Sequence, residues 1–96
     1  MFDGAEVDTR FGPVQVAVQI SNGSLADVQV VQSPDQDRRS RLINEQALPM
    51  LRDEALQAQS SAVDTIGGAT YTSQAYEQSL QSAIDAARTA GVTGLL

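Results

Sequence analysis

The chain has 96 residues, 42% of them hydrophobic and 19% charged, which suits one folded domain and is too little for two. Its net charge is -6 and all six basic residues are Arg, a balance that argues against nucleic acid as a partner because phosphate neutralisation drives that affinity. With no Cys and no His, the sequence excludes disulfides, thiol chemistry, thiolate metal sites and a histidine general base.

Residues 5–11 alternate apolar or neutral side chains with Glu6, Asp8 and Arg10, which predicts a half-buried strand. Gly12-Pro13 should then break or bend the chain, since Pro cannot donate to a central ladder. Val14, Val16, Val18 and Ile20 alternate with Gln15, Ala17 and Gln19, the period of a strand with one buried face. Asn22-Gly23 is a strong signal for a two-residue hairpin turn, so residues 14–31 read as a hairpin. A regular ladder would bury Asp27 and expose Val28 and Val30. One extra residue near Ala26-Asp27 repairs this, and the sequence therefore predicts a β-bulge that places Leu25, Val28 and Val30 on the core face.

Ser33 to Asp37 reads as loop, with Asp35 or Asp37 able to cap a helix starting near Arg38. Leu42, Ile43 and Ala47 supply the buried side of that helix. Pro49 is expected to start a second helical piece carrying Leu51, Ala55, Leu56 and Ala58, within a helical region of about 38–58. The cluster Arg38, Arg39 and Arg41 reads either as a solvated helix start or as an anion contact. After a linker at Ser60-Ser61, residues 62–66 suggest a short strand that joins the sheet. The last helix, about 72–89, should be capped by Thr72 or Ser73 and bury Ala75, Tyr76, Leu80, Ala83, Ile84 and Ala87. Gly91 should end it, leaving 91–96 as a frayed tail. The fold class is therefore α+β: a small antiparallel sheet packed against helices, in a single domain over residues 1–96. No run of about eighteen apolar residues suggests a transmembrane helix, and no signal-peptide pattern opens the sequence. Met1 leads almost directly into domain-like sequence, which suggests a piece of a longer chain.

DTIGGATYTS, residues 64–73, concentrates two glycines and several hydroxyls at the mouth of the last helix. A helix start offers unpaired N–H groups and the positive end of its dipole, and Gly67 and Gly68 let backbone approach a ligand closely. Thr70 at its lip can hydrogen-bond a phosphate or be esterified by one. The pattern lacks the Lys and spacing of a Walker loop. Two readings remain open on these residues alone: a phosphate cradle and an ordinary strand-to-helix turn.

DTIGGATYTS resembles the signature of the FMN-binding domain family, which includes the flavin-carrying C and G subunits of sodium-pumping quinone reductase and Rnf-type complexes. RFGPVQVAVQISNGSLADVQV resembles the family's opening strands. DRRSRLINEQALPMLRDEAL and TYTSQAYEQSLQSAIDAA are similar to the middle and the terminal helix of its small actinobacterial-type members. The resemblance implies an electron-transfer module, not an enzyme with its own catalytic residues, carrying FMN through a phosphoester on Thr70. A separate flavin transferase makes that bond from FAD with a divalent metal. Asp64 then belongs to the recognition motif, Gly68 and Ala69 give the phosphate access to the backbone, and Thr72 and Ser73 complete the cofactor-binding turn. Tyr71 is the first candidate for ring contact, with Phe11 and Tyr76 the other mid-chain aromatics. Tyr76 also fits the buried helix stripe, and Arg38 or Arg39 could pair with the phosphate. Gly67 departs from the family, which usually has Ser or Thr there. The departure keeps a second reading in view, a non-flavinylated ligand-binding or structural envelope domain of the same fold. The resemblance further implies redox partner proteins or a membrane redox domain. It also implies an extracytoplasmic location, membrane-associated or tethered, as a domain of a longer envelope protein.

Overall fold

A computed structural model describes residues 1–33, 38–66 and 69–91. The expected caps at Asp35 and Asp37, the Gly67-Gly68 pair and the tail after Gly91 lie outside the described residues. In chain order come β1 (Phe2–Asp3), β2 (Val7–Thr9), β3 (Gly12–Ser21), β4 (Ser24–Gln32), α1 (Arg38–Ala58) and α2 (Thr70–Thr89). The fold class is the α+β arrangement expected, a small antiparallel sheet packed against two helices.

β3 is the central strand. It pairs with β4 on one side and with both β1 and β2 on the other, all antiparallel. Asn22 and Gly23 form the hairpin turn with φ of 53° and 77°, the left-handed pair that matches strand twist. The bulge is present: Ile20 pairs with Leu25 and Gln19 with Asp27, so Ala26 is the extra residue. A second irregularity, between Gln15 and Val16, makes Val31 extra as well. Leu25 and Val28 are buried as expected, but Val30, expected on the core face, is 38% exposed.

The expected strand over 5–11 is corrected. Only Val7–Thr9 (β2) of that span is strand, a separate β1 (Phe2–Asp3) precedes it, and Phe11 belongs to a turn. The gap between β1 and β2 has a cause in α2. The Ser79 hydroxyl reaches between the strands, accepts from Val16 N–H at 3.0 Å and donates to Ala5 C=O at 2.7 Å. Ser82 Oγ accepts from Ala5 N–H at 2.6 Å. A helix side chain therefore replaces a ladder bond, and Gly4 is the residue that lets the helix come this close. A Cβ on Gly4 would lie 2.1 Å from the Ser79 carbonyl oxygen. Pro13 does not break the chain. It sits inside β3 opposite Asp8, beyond the point where β4 stops pairing at Gln15, so its missing donor costs no bond to β4.

α1 is one helix, not two, with Pro49 inside it. Ala47, Leu51 and Ala55 are buried across the proline while Pro49 and Met50 face solvent, so the carbonyl left without a donor can be hydrated. Leu42 is 51% exposed, contrary to its expected place on the buried side, which Asn44 and Ala47 occupy. Gln59, at φ 54°, fastens the end of α1 to β4: its amide accepts from Leu25 N–H at 2.8 Å and donates to Leu25 C=O at 3.1 Å.

Residues 62–66 form no strand, which corrects the expected addition to the sheet. Val63 is buried as an anchor, but its N–H bonds to Ser61 C=O, inside the connector. α2 buries Ala75, Tyr76, Leu80, Ala83, Ile84 and Ala87, as its periodicity predicts. With Val14, Val16, Val18, Leu25, Val28, Leu51 and Ala55 these residues make one core. Gly91, at φ 93°, donates to Arg88 C=O and closes the helix.

Candidate functional site

The site is built where the connector from α1 runs into α2. Val63 is buried and Ile66 packs against the core, so Asp64 and Thr65 between them stand exposed. Ala69 N–H donates to Ile66 C=O at 2.9 Å just ahead of the helix.

α2 begins two residues earlier than its hydroxyl pattern predicts, at Thr70 instead of Thr72. Thr72 and Ser73 are therefore not caps. Both are buried inside the first turns. Ser73 instead braces the turn. Its hydroxyl accepts from Ile66 N–H at 3.0 Å and donates to Ala69 C=O at 2.7 Å, tying the two sides together. The cap position falls to Ala69, which offers no side-chain hydrogen bond to the helix. An Ala there forgoes the roughly 1 kcal/mol a Ser, Thr or Asp would contribute. The positive end of α2 is thus without a side-chain acceptor among the described residues, and Ala69 itself is buried.

Thr70, the first helical residue, is exposed. Tyr71 beside it is 47% exposed. The hairpin between β2 and β3 brings Phe11 against it, with ring centroids 5.8 Å apart and planes at 63°, an edge-to-face pair. Phe11 is itself 41% exposed. The hairpin tip is held in shape by Thr9, whose hydroxyl donates to Gly12 C=O at 2.6 Å and accepts from Phe11 N–H at 3.1 Å.

Arg10 is the residue that reasoning from sequence passed over. It reads there as one polar position in an alternation, yet its guanidinium carbon lies 5.5 Å from the Phe11 ring centre and 5.7 Å from that of Tyr71. Among the described residues no carboxylate pairs with it, whereas Arg52 pairs with Asp27 and Asp53 and Arg88 with Asp85. The only hint in sequence is its place directly before an aromatic and a Gly-Pro turn. Arg38 and Arg39 stand exposed in the first turn of α1, and no hydrogen bond or ion pair among the described residues joins them to Thr70 or Tyr71. Tyr76, the third mid-chain aromatic, is fully buried in the core, and burial pushes its phenol above the ordinary tyrosine value.

The arrangement offers an exposed threonine at a helix start, a half-exposed aromatic pair beside it and the Arg10 guanidinium, which has no acidic partner among the described residues. Among those residues no three His, Cys, Asp or Glu side chains gather to hold a metal ion, and no helix is long and apolar enough to cross a membrane. The family model for the FMN-binding domain matches residues 11–85. No curated protein matches the chain.

Proposed function

The chain belongs to the FMN-binding domain family, and from that premise we propose that it is an electron-transfer module carrying FMN through a phosphoester on Thr70. The observation that carries this reading is the exposure of Thr70 at the first position of a helix whose cap residue supplies no acceptor. A negatively charged phosphate there takes the place of the missing cap.

The chain's own residues supply attachment and surroundings, and the bound flavin supplies the redox chemistry. A threonine hydroxyl is a weak nucleophile until a base takes its proton, and this chain has no His to do so. A separate flavin transferase provides that base and a divalent metal. In the transfer, Thr70 Oγ1 bonds to the phosphorus of the flavin half of FAD, the bond to the AMP half breaks, AMP leaves, and the hydroxyl proton passes to the transferase. Asp64, exposed on the connector ahead of Ala69, serves recognition by the transferase. Ser73 ties Ile66 to Ala69 through its hydroxyl, next to the attachment point. Tyr71 and Phe11 form the apolar wall for the ring. The partners are that transferase and redox proteins, or a membrane redox domain, on the outer side of the membrane.

Co-expression with a flavin transferase tests the reading. Under denaturing electrophoresis the wild-type band should fluoresce as a flavoprotein, and the Thr70→Ala band should not. A dark wild-type band, with an active transferase shown on another substrate, rejects covalent attachment.

A further inference from the structure

Resting on the flavin-carrying reading above, we propose that Arg10 is the residue that sets the reduction potential of the bound ring, placed for it by the Phe11–Tyr71 pair. Four observations converge. The guanidinium lies over both aromatic rings at 5.5 and 5.7 Å, so it is held at the surface where a flat conjugated ligand resting on Phe11 or Tyr71 would lie. Both residues are exposed, Phe11 at 41% and Tyr71 at 47%, so the cluster lies at the surface and not in the core. Tyr71 adjoins Thr70 in sequence, so a flavin tethered there by its flexible ribityl phosphate has this platform at the root of its tether. Finally, Arg10 is a guanidinium in a protein of net charge -6, with no carboxylate against it among the described residues.

The chemistry follows from charge. Two electrons from a reduced donor, with one proton taken up from solvent, leave the flavin ring with one negative charge. A guanidinium beside the ring favours that reduced, anionic form over the neutral oxidised form, and so raises the potential. Because Arg10 is exposed, solvent and salt screen the effect, which makes it ionic-strength dependent.

The experiment uses flavinylated protein and a dye-equilibrated reductive titration. Arg10→Gln should shift the midpoint potential to a more negative value, Arg10→Lys should restore most of the difference, and added salt should shrink the gap between wild type and Arg10→Gln. A purely structural role for Arg10 would move the melting temperature and leave the potential alone. Equal potentials for wild type and Arg10→Gln overturn the proposal, whatever the melting temperatures do. If the chain does not flavinylate, the carrier reading fails separately and the ring site is tested with free FMN on the Thr70→Val protein. Quenching of flavin fluorescence that Tyr71→Leu and Arg10→Gln both weaken supports the site, and no quenching at the highest protein concentration overturns it.

Discussion

Gly4 and Ser79 show how closely single residues are constrained. Replacing Gly4 with Ala would drive a methyl into the backbone oxygen of Ser79, which cannot move without displacing α2 from the sheet. Overpacking of a core usually costs about 1–3 kcal/mol, and a clash with backbone belongs at the upper end. Gly4→Ala should therefore lower the melting temperature by roughly 10–20 °C in a domain of this size. Ser79→Ala leaves the buried Val16 N–H without its acceptor, at a cost of about 1–3 kcal/mol. Thermal unfolding of both variants, followed by circular dichroism, checks these values. A Gly4→Ala protein as stable as wild type would mean that α2 does not rest on β1 as described.

At the scale of elements, α1 is the informative case. Pro49 lies in its interior, where the missing N–H and the ring cost about 3 kcal/mol relative to Ala in an exposed helix. The helix continues because Ala47, Leu51 and Ala55 hold its buried side on both sides of the proline. Pro49→Ala should accordingly stabilise the protein by about 1–3 kcal/mol, read as a higher denaturant midpoint. An unchanged or lower midpoint would show that the proline is accommodated without cost. The same contrast explains what is legible in the sequence. Periodicity identifies β3, β4 and the buried stripe of α2, and the need to keep Asp27 out of the core locates the bulge at Ala26. Pro49 misleads because local chemistry argues for a break that tertiary packing overrides. Ser79 could not be foreseen, since a serine on an apolar helix stripe gives no sign that it will enter a strand ladder 63 residues away in sequence. Ser73 reads as a cap for a related reason: a hydroxyl suits both a cap and a brace, and only its contact with Ile66 decides between them.

For the whole molecule, two titrations bound the stable range of pH. The bulge aims Asp27 at α1, where its carboxylate accepts from Arg52 Nε at 2.7 Å and from Val28 N–H at 2.8 Å. The Arg52 hydrogen bond, with the Val28 amide, holds the Asp27 carboxyl below its usual range. The folded value is the lower one, so this contribution is present above the ordinary aspartate range and is lost as pH falls through it. It is small because both partners are partly exposed. Tyr76 acts at the other end. Burial raises its phenol above the ordinary value of about 10, so the unfolded chain ionises first and stability falls as pH rises past that value. Its hydroxyl has no hydrogen-bond partner among the described residues. Tyr76→Phe should thus be as stable as wild type or up to about 1 kcal/mol more stable at neutral pH, and lose less stability than wild type above pH of about 10. Parallel slopes for the two proteins in alkaline denaturant titrations would contradict the assignment.

The candidate site is legible only in part. The motif at 64–73 points to the turn and to Thr70, because hydroxyls and glycines at a helix mouth are local features. Arg10 and Phe11 reach the same place from a hairpin some sixty residues earlier, through a tertiary contact with Tyr71 that no local pattern records. The proposed flavin-carrying function rests on the hydroxyl at position 70 as the point of attachment. The most direct measurement is the intact mass of the protein after incubation with a flavin transferase, FAD and a divalent metal. Wild type should gain the mass of one FMN less one water, mapped by peptide fragmentation to Thr70, and Thr70→Ala should gain nothing. An unmodified wild-type mass, or the same gain in Thr70→Ala, would contradict it.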